Sequence, residues 1–105
     1  MKTVTIQIGN SDDKLTQQEW HLFVSDIECE ISLFSENIHF SGASQGNAPW
    51  QNYAFVFEFN DNKVKDSGVT VLGDQYKLLK ERLSIVGKKY KQDSVAWTEG
   101  TTEFI

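Results

Sequence analysis

The residues best suited to recognise a ligand are side-chain amides placed in three separate parts of the chain. Together with an aromatic ring, a carboxylate and a cation, they form the set Asn10, Asp12, Trp50, Gln51, Asn52, Lys91 and Gln92. A planar polar molecule can stack on a ring such as that of Trp50 while amides read its edge by hydrogen bonds. The same residue types are also common in turns, so a purely structural role stays open. If these segments meet in the fold, they indicate a small polar, nucleotide-like ligand.

The candidate for catalysis is a histidine in a predicted strand. His39 alternates with Ile38 and Phe40, so it is expected on the face opposite theirs, where an imidazole can carry protons. The sequence holds neither a nucleophile elbow nor a phosphate-binding loop with its lysine. Asp12 and Asp13 supply too few oxygen ligands for a calcium or magnesium ion. We therefore expect no metal and no cofactor, and keep a small enzyme of the dimeric α+β barrel type, using His39, as an alternative function.

The charge of the chain is acidic overall and uneven along its length. The formal net charge is −5, which argues against general binding to nucleic acid, where affinity comes mainly from neutralised phosphates. Residues 12–36 hold seven acids and one base, whereas residues 77–91 hold six bases and one acid. Such blocks are typical of solvated helix faces, but the basic block could also bind an acidic partner. A protein interaction module that uses the second helix is therefore a further alternative.

The length of 105 residues is that of one domain, which we place at residues 1–105. No apolar run is long enough to cross a bilayer, and the first residues alternate in polarity instead of forming a leader. We therefore expect no membrane association and a cytoplasmic location. The single cysteine, Cys29, cannot form an internal disulfide.

Clear patterns predict the first strand and the first helix. Val4, Ile6 and Ile8 alternate with polar residues, which indicates a strand over residues 3–8. Thr16 and Glu19 have the spacing of a capping box, which starts a helix. Apolar residues then recur at helical spacing to about residue 34 and form the stripe Trp20, Phe23, Val24, Ile27 and Ile31.

The middle of the chain predicts a hairpin around a polar loop at 41–52. A short strand carries Ile38 and Phe40 on one face, and the next strand runs over 53–59. That second strand is apolar on both faces for most of its length, which is typical of a strand inside a sheet. Since helices on one face leave the other face uncovered, we expect a second copy of the chain to cover it, which makes the protein a homo-oligomer.

The last third of the chain predicts a second helix and a fourth strand. Residues 60–73 are rich in turn-forming residues, with a brief strand indicated at 69–72. A helix is expected from an N-cap at Asp74, with the apolar stripe Tyr76, Leu79, Leu83, Val86 and Tyr90. A strand over 94–98 follows, and the apolar residues at 104–105 are expected to dock on the domain.

The element order β-α-β-β-α-β is that of an α+β ferredoxin-like sandwich, a four-stranded antiparallel sheet with two helices on one face. In this topology the end of the first strand, the hairpin and the entry to the fourth strand lie at one end of the sheet. Asn10, the 41–52 loop and the Lys91-Gln92 pair are therefore expected to converge there. This convergence favours a binding site at that end.

Three short segments resemble a set of short bacterial and phage domains of unknown function that have a ferredoxin-like fold. The segments are Thr5-Ile6-Gln7-Ile8-Gly9, Glu19-Trp20 with Phe23-Val24, and Tyr90-Lys91-Gln92-Asp93-Ser94-Val95. The resemblance implies the same fold and transfers no catalytic residue. With the amide-rich end of the sheet, it leads us to expect a non-catalytic module that senses or sequesters a nucleotide-like molecule, as a protein of a mobile element could do.

Overall fold

A computed structural model describes residues 2–10, 15–35, 38–45, 51–59 and 72–105. These residues form four strands and two helices in the predicted order. The elements are β1 (Lys2–Gly9), α1 (Gln17–Ser32), β2 (Ile38–Ala43), β3 (Asn52–Phe57), α2 (Leu72–Lys89) and β4 (Ala96–Thr101). Their order and their arrangement in one sheet confirm the predicted α+β ferredoxin-like architecture.

The four strands form an antiparallel sheet in the order β2-β3-β1-β4. β1 is paired on both sides, so that Ile6 lies opposite Phe55 of β3 and opposite Trp97 of β4. β3 also has two neighbours, because β2 pairs with its other edge. The prediction that the strand over 53–59 lies inside the sheet is confirmed, although β3 itself ends at Phe57.

One core lies between the sheet and the two helices. Val4, Ile6 and Ile8 of β1 point to the same face because alternate residues of a strand share a side, and all three are buried. They pack with Phe55 and Phe57 of β3 and with one stripe from each helix. Both predicted stripes are confirmed, and their buried members are Trp20, Phe23, Ile27, Ile31, Leu79, Leu83, Val86 and Tyr90.

α1 begins at the predicted capping box. The Thr16 hydroxyl accepts from the Glu19 backbone N–H at 3.2 Å, and Glu19 Oε1 accepts from the Thr16 backbone N–H at 3.1 Å. Such bonds satisfy backbone donors that the first turn of a helix leaves without internal partners. The bond from the Thr16 N–H is also the main reason why the pKa of Glu19 lies below its ordinary value.

The start of α2 differs from its prediction. The helix begins at Leu72, so Asp74 lies inside it and is not the N-cap. The prediction of a brief strand at 69–72 is wrong at Leu72, which is helical. Residues 69–71 lie outside the described residues.

α2 ends in a turn that needs an unusual backbone conformation. Lys91 has a positive φ of 59°, in the left-handed region. The Gln92 N–H then donates to Gly87 O at 2.9 Å, and the Lys91 N–H donates to Lys88 O at 3.0 Å. These two bonds are those of a Schellman motif, in which the residue after the helix is usually glycine. Lysine at this position carries a strain that glycine would not.

The acidic and basic blocks of the sequence meet at the contact between the two helices. Arg82 Nε donates to Glu30 Oε2 at 2.5 Å. Asp26 Oδ2 accepts from Tyr90 Oη at 2.5 Å and lies 3.4 Å from Lys89 Nζ. The blocks are therefore more than solvated faces, because part of their charge is paired inside the chain and links α1 to α2.

Three boundaries differ from the sequence predictions. β2 extends to Ala43, so the start of the expected 41–52 loop is strand, and the last residue of that loop, Asn52, begins β3. β4 starts at Ala96, two residues later than expected. Phe104 and Ile105 are exposed, so the expectation that this end of the chain docks on the domain is wrong.

A β-bulge at His39 separates the two apolar residues of β2. Ile38 pairs with Phe57, whereas Phe40 pairs with Val56, the preceding residue of β3. Because neighbouring residues of a strand point to opposite faces, Ile38 faces the core and Phe40 faces away from it. The expectation that Ile38 and Phe40 share a face is therefore wrong, and the Phe40 residue is left 58% exposed.

Lys91→Gly should be more stable than Lys91→Ala by about 1 kcal/mol, because glycine adopts the left-handed backbone of residue 91 without a clash at Cβ. Both variants lose the same ammonium group, so the difference in their free energies of unfolding isolates the backbone. Urea unfolding followed by circular dichroism measures both values. Equal stability of the two variants would contradict a left-handed residue at this position.

Asp26→Asn should lower the pKa of Tyr90 without returning it to the ordinary tyrosine value. The pKa of Tyr90 is raised from 10.0 to about 12, mainly by burial. The hydrogen bond to Asp26 and the charge of Asp26 raise the pKa further. The substitution removes the charge and leaves the burial. Absorbance of the tyrosinate, with Tyr90→Phe as the blank, follows the ionisation. A pKa unchanged by Asp26→Asn would show that the hydrogen bond to Asp26 does not form.

The same substitution should move the alkaline limit of folding. Because the folded state raises the pKa of Tyr90, its contribution to stability is complete below pH 10.0 and is lost as the pH rises towards about 12. In Asp26→Asn that loss should be complete at a lower pH, which unfolding curves recorded across this range will show.

Candidate ligand-binding site

The face of the sheet that points away from the helices consists of the alternate residues of each strand. These residues are mostly small or polar: Thr5, Gln7 and Gly9 of β1, Phe40 and Gly42 of β2, Ala54 and Val56 of β3, and Ala96 and Thr98 of β4. The two described helices both pack on the other face, with the core. We call this second side of the sheet the open face.

A groove of about 620 Å³ lies on the open face, at the end of the sheet where the sequence predicts a site. Gln7, Gly42 and Ala54 line it from the strands. Asn52 lines it from the hairpin, and the segment 92–94 lines it from the entry to β4. The predicted convergence of these three parts of the chain at one end of the sheet is therefore present.

Phe40 gives the groove a flat apolar surface. Its ring lies over Gly42, since a Cβ atom at Gly42 would be 2.9 Å from Phe40 Cζ, closer than real Cβ contacts allow. Glycine thus leaves the room that the ring occupies. The ring is held against the sheet while more than half of the residue stays exposed.

Asn52 stands at the rim of the groove, where the hairpin closes. The Ser44 N–H donates to Asn52 O at 2.9 Å, and the Asn52 N–H donates to Ser44 Oγ at 3.1 Å. The side chain of Asn52 lies against Gly9, where a Cβ atom would be 2.9 Å from Asn52 Oδ1. The hairpin therefore fixes the backbone of Asn52 and leaves its exposed amide beside the end of β1.

Asn10 and Gln51 bind each other and the start of α1. Asn10 is only 3% exposed. Its side chain accepts from the Leu15 N–H at 3.2 Å, and donates to Leu15 O at 3.1 Å and to Gln51 Oε1 at 3.3 Å. Gln51 exchanges two further bonds with Gln17, of 2.8 and 3.1 Å. These contacts give both amides a structural role in the connection from β1 to α1.

Lys91 and Gln92 diverge although they are neighbours. Gln92 lines the groove, and its amide donates to Tyr90 O at 3.1 Å. Lys91 does not line the groove, and its charge makes a small contribution to the lowered pKa of Glu19.

The predicted site residues thus divide into three groups. Two line the groove, Asn52 and Gln92. Three do not line it, namely Asn10, Gln51 and Lys91. Asp12 and Trp50 lie outside the described residues, and ligand binding by this set stays a prediction.

The groove offers recognition groups of a definite kind. Gln7, Asn52 and Gln92 supply amides, and Phe40 supplies an aromatic surface. Among the described residues that line the groove, Asp93 carries a charge and none is a lysine or an arginine. Proteins usually bind phosphate with lysine, arginine or a helix N-terminus. The described lining therefore suits a neutral or cationic planar molecule better than a phosphate.

Sequence reasoning overlooks Gln7 and Phe40 as site residues, for different reasons. The period of two in β1 already places Gln7 on the face opposite Ile6 and Ile8, so that signal could have found it. The bulge that turns Phe40 outwards leaves no mark in the sequence, since His39 is an ordinary strand residue by type.

The features behind the alternative functions lie away from the groove. His39 Nε2 is 3.4 Å from Glu58 Oε1, and neither side chain lines the groove.

Within the described ranges, which leave out Asp12 and Asp13, no three His, Cys, Asp or Glu side chains are grouped to hold a metal ion. Neither described helix is long and apolar enough to cross a membrane.

Comparison of the chain with protein-family models, with curated proteins and with solved structures finds no match. A functional proposal therefore depends on the groove and on the residues that line it.

Asn10→Ala should destabilise the fold by about 1–3 kcal/mol, because it removes three hydrogen bonds and leaves the Leu15 backbone groups without this partner. Asn52→Ala should cost less than Asn10→Ala, because Asn52 is exposed at the rim whereas Asn10 is buried. Urea unfolding of the two variants measures both effects. Equal losses would contradict the structural role of Asn10.

Proposed function

We propose that the protein is a non-catalytic module that binds a small planar polar molecule, of the nucleobase or nucleoside kind, in the groove on the open face. The observation that carries this proposal is the exposed ring of Phe40, held over Gly42 beside a groove rich in amides. A protein that holds such a ligand without converting it acts as a sensor or as a sequestering protein.

The exposure of Phe40 supports a stacking role. A phenylalanine side chain gains free energy when it leaves water, and Phe40 forgoes most of that gain because it is 58% exposed. A planar ligand on the ring would recover part of it, since stacking of a base on an aromatic side chain contributes about 1–3 kcal/mol. The position of Phe40 against the sheet also means that little ring motion is lost on binding.

The amides around the ring support selectivity. Gln7, Asn52 and Gln92 each carry both a donor and an acceptor, which matches the mixed donor and acceptor edge of a nucleobase. The amide nitrogen of Gln92 already donates to Tyr90 O, so its oxygen is the atom that suits a ligand donor. Three amides at one groove can distinguish ligands that stack equally well.

The charge of the described lining narrows the ligand class. Asp93 places a carboxylate at the groove, which opposes an anionic ligand and attracts a cationic one. A nucleoside or free base therefore suits the described lining better than a nucleotide does. This refines the nucleotide-like ligand expected from the sequence.

The rest of the open face suits a second copy of the chain. Thr5, Val56 and Thr98 occupy the three strands that meet there, and none of them is charged. A stable interface needs about 800 Å² from each partner, which is compatible with a four-stranded face. The proposed homo-oligomer would then pair two open faces and leave a groove at each end.

Adenosine is the probe for this proposal, because it has a planar base and no phosphate. Phe40→Leu should weaken adenosine binding about tenfold, since leucine keeps the apolar bulk and loses the flat ring. AMP should bind more weakly than adenosine. Titrations followed by the side-chain amide resonances of Gln7, Asn52 and Gln92 measure the affinities and place the ligand.

Phe104→Leu is the matched control, because Phe104 is also exposed but follows β4 at the opposite end of the sheet. It should leave adenosine affinity unchanged. Tighter binding of AMP than of adenosine, or equal losses in the two variants, would contradict the groove as the site. Native mass spectrometry of the same samples reports whether a ligand co-purifies and whether the protein is an oligomer.

A further inference from the structure

A second cavity, of about 370 Å³, lies between α2 and β4 on the helix side of the sheet. We call it the cleft. Its wall on α2 contains Lys80, Ser84 and Lys88, and its apolar residues include Leu83, Val95 and Trp97. The groove lies on the other face of the sheet, although residues 92–94 border both cavities, and a ligand in the cleft does not require the proposed function.

The polar wall of the cleft is a row of hydrogen-bond donors. Lys80, Ser84 and Lys88 are spaced four residues apart, so they lie above one another on the same side of α2. Lys80 Nζ lies 4.9 Å from the centre of the Trp97 ring. Within the described residues neither Lys80 nor Lys88 forms an ion pair with a carboxylate, in contrast to Arg82 and Lys89 on the same helix.

Trp97 adds an unpaired donor. Its Nε1 is buried and has no hydrogen-bond partner among the described residues. Since this N–H has almost no accessible surface, a molecule in the cleft cannot reach it while the ring keeps this position, and the cations of the α2 wall decide the ligand. Lys80 and Lys88 have no carboxylate partner among the described residues, and the group that suits them is an anionic oxygen.

Apolar residues and the polar segment 92–94 form the rest of the cleft. Leu83 is buried, and Val95 and Trp97 are partly buried against the core. A Cβ atom at Gly87 would lie 3.2 Å from Val95 Cγ2, so glycine lets the chain before β4 approach α2 closely at this end. Asp93 also lines the cleft, beyond the C-terminal end of α2, about 10 Å or more along the helix axis from Lys80.

We propose that the cleft binds a small amphipathic organic anion, namely a carboxylate with an apolar body. The carboxylate lies at the Lys80 end, where the ammonium group of Lys80 donates to it and the Trp97 ring lies alongside. The apolar body lies along Leu83 and Val95, with the stem of Lys88 beside it. Asp93 at the other end disfavours the reverse orientation.

Octanoate is the probe for the cleft, and the indole N–H resonance of Trp97 is the reporter. Comparison with Trp97→Phe assigns this resonance in a ¹H–¹⁵N spectrum. Octanoate should shift it in a saturable way, with a dissociation constant of about 1 mM or tighter. 1-Octanol, which lacks the charge, and inorganic phosphate, which lacks the apolar body, should each bind at least about fivefold more weakly.

Lys80→Gln should weaken octanoate binding about fivefold, because it removes the ion pair between Lys80 and the octanoate carboxylate and keeps most of the side chain. Lys77→Gln is the matched control: it changes the charge of α2 equally, and Lys77 is exposed and does not line the cleft. Affinity for octanoate should be unchanged in that control.

The proposal is overturned if octanoate leaves the Trp97 resonance unshifted, if 1-octanol or phosphate binds as tightly, or if the two lysine variants lose affinity equally. The spectra themselves show that each variant is folded.

Discussion

The structure depends on the two hydrogen-bonded ladders of β1. Each residue in the middle of this strand has a partner on either side, as Gln7 has in Ala54 and Ala96. A slip of β1 by one residue would turn all of its own side chains to the other face and would change the register of both ladders. The buried positions of Val4 and Ile6 therefore fix, through β1, which residues of the sheet meet the helices.

The same ladders define the open face. Since the large apolar residues of β1 and β3 lie in the core, the alternate positions carry small or polar residues and Val56. Phe40 reaches this face only because the bulge at His39 changes the register of β2. Bulges redirect single side chains without disturbing the rest of a sheet. The local irregularity thus supplies the exposed ring of Phe40 to the groove.

Amides of the same type serve two purposes at this end of the sheet, and their surroundings decide which. Asn10 is buried and its donors and acceptors are used by Leu15 and Gln51, so it stabilises the chain connection to α1. Asn52 and Gln92 are on the other side of the sheet end, at the groove. The Schellman turn after α2 contributes to this division, because it directs the chain across the sheet end, where residues 92–94 border both the groove and the cleft.

Local patterns in the amino-acid sequence specify the elements and most of the core. Period-two alternation in β1, the capping box at Thr16 and the two apolar stripes are local signals. The geometry of a single strand or helix is enough to interpret them. The element order then implied the sheet topology and the end at which polar segments meet. Which polar groups line the groove depends on the folded chain, because hydrogen bonds such as those from Asn10 to Leu15 and Gln51 need chain segments that approach each other in space. The tertiary structure also decided the facing of Phe40 and the pairing of Asp26 with Tyr90, since a bulge and a contact between helices are set by packing and not by residue type.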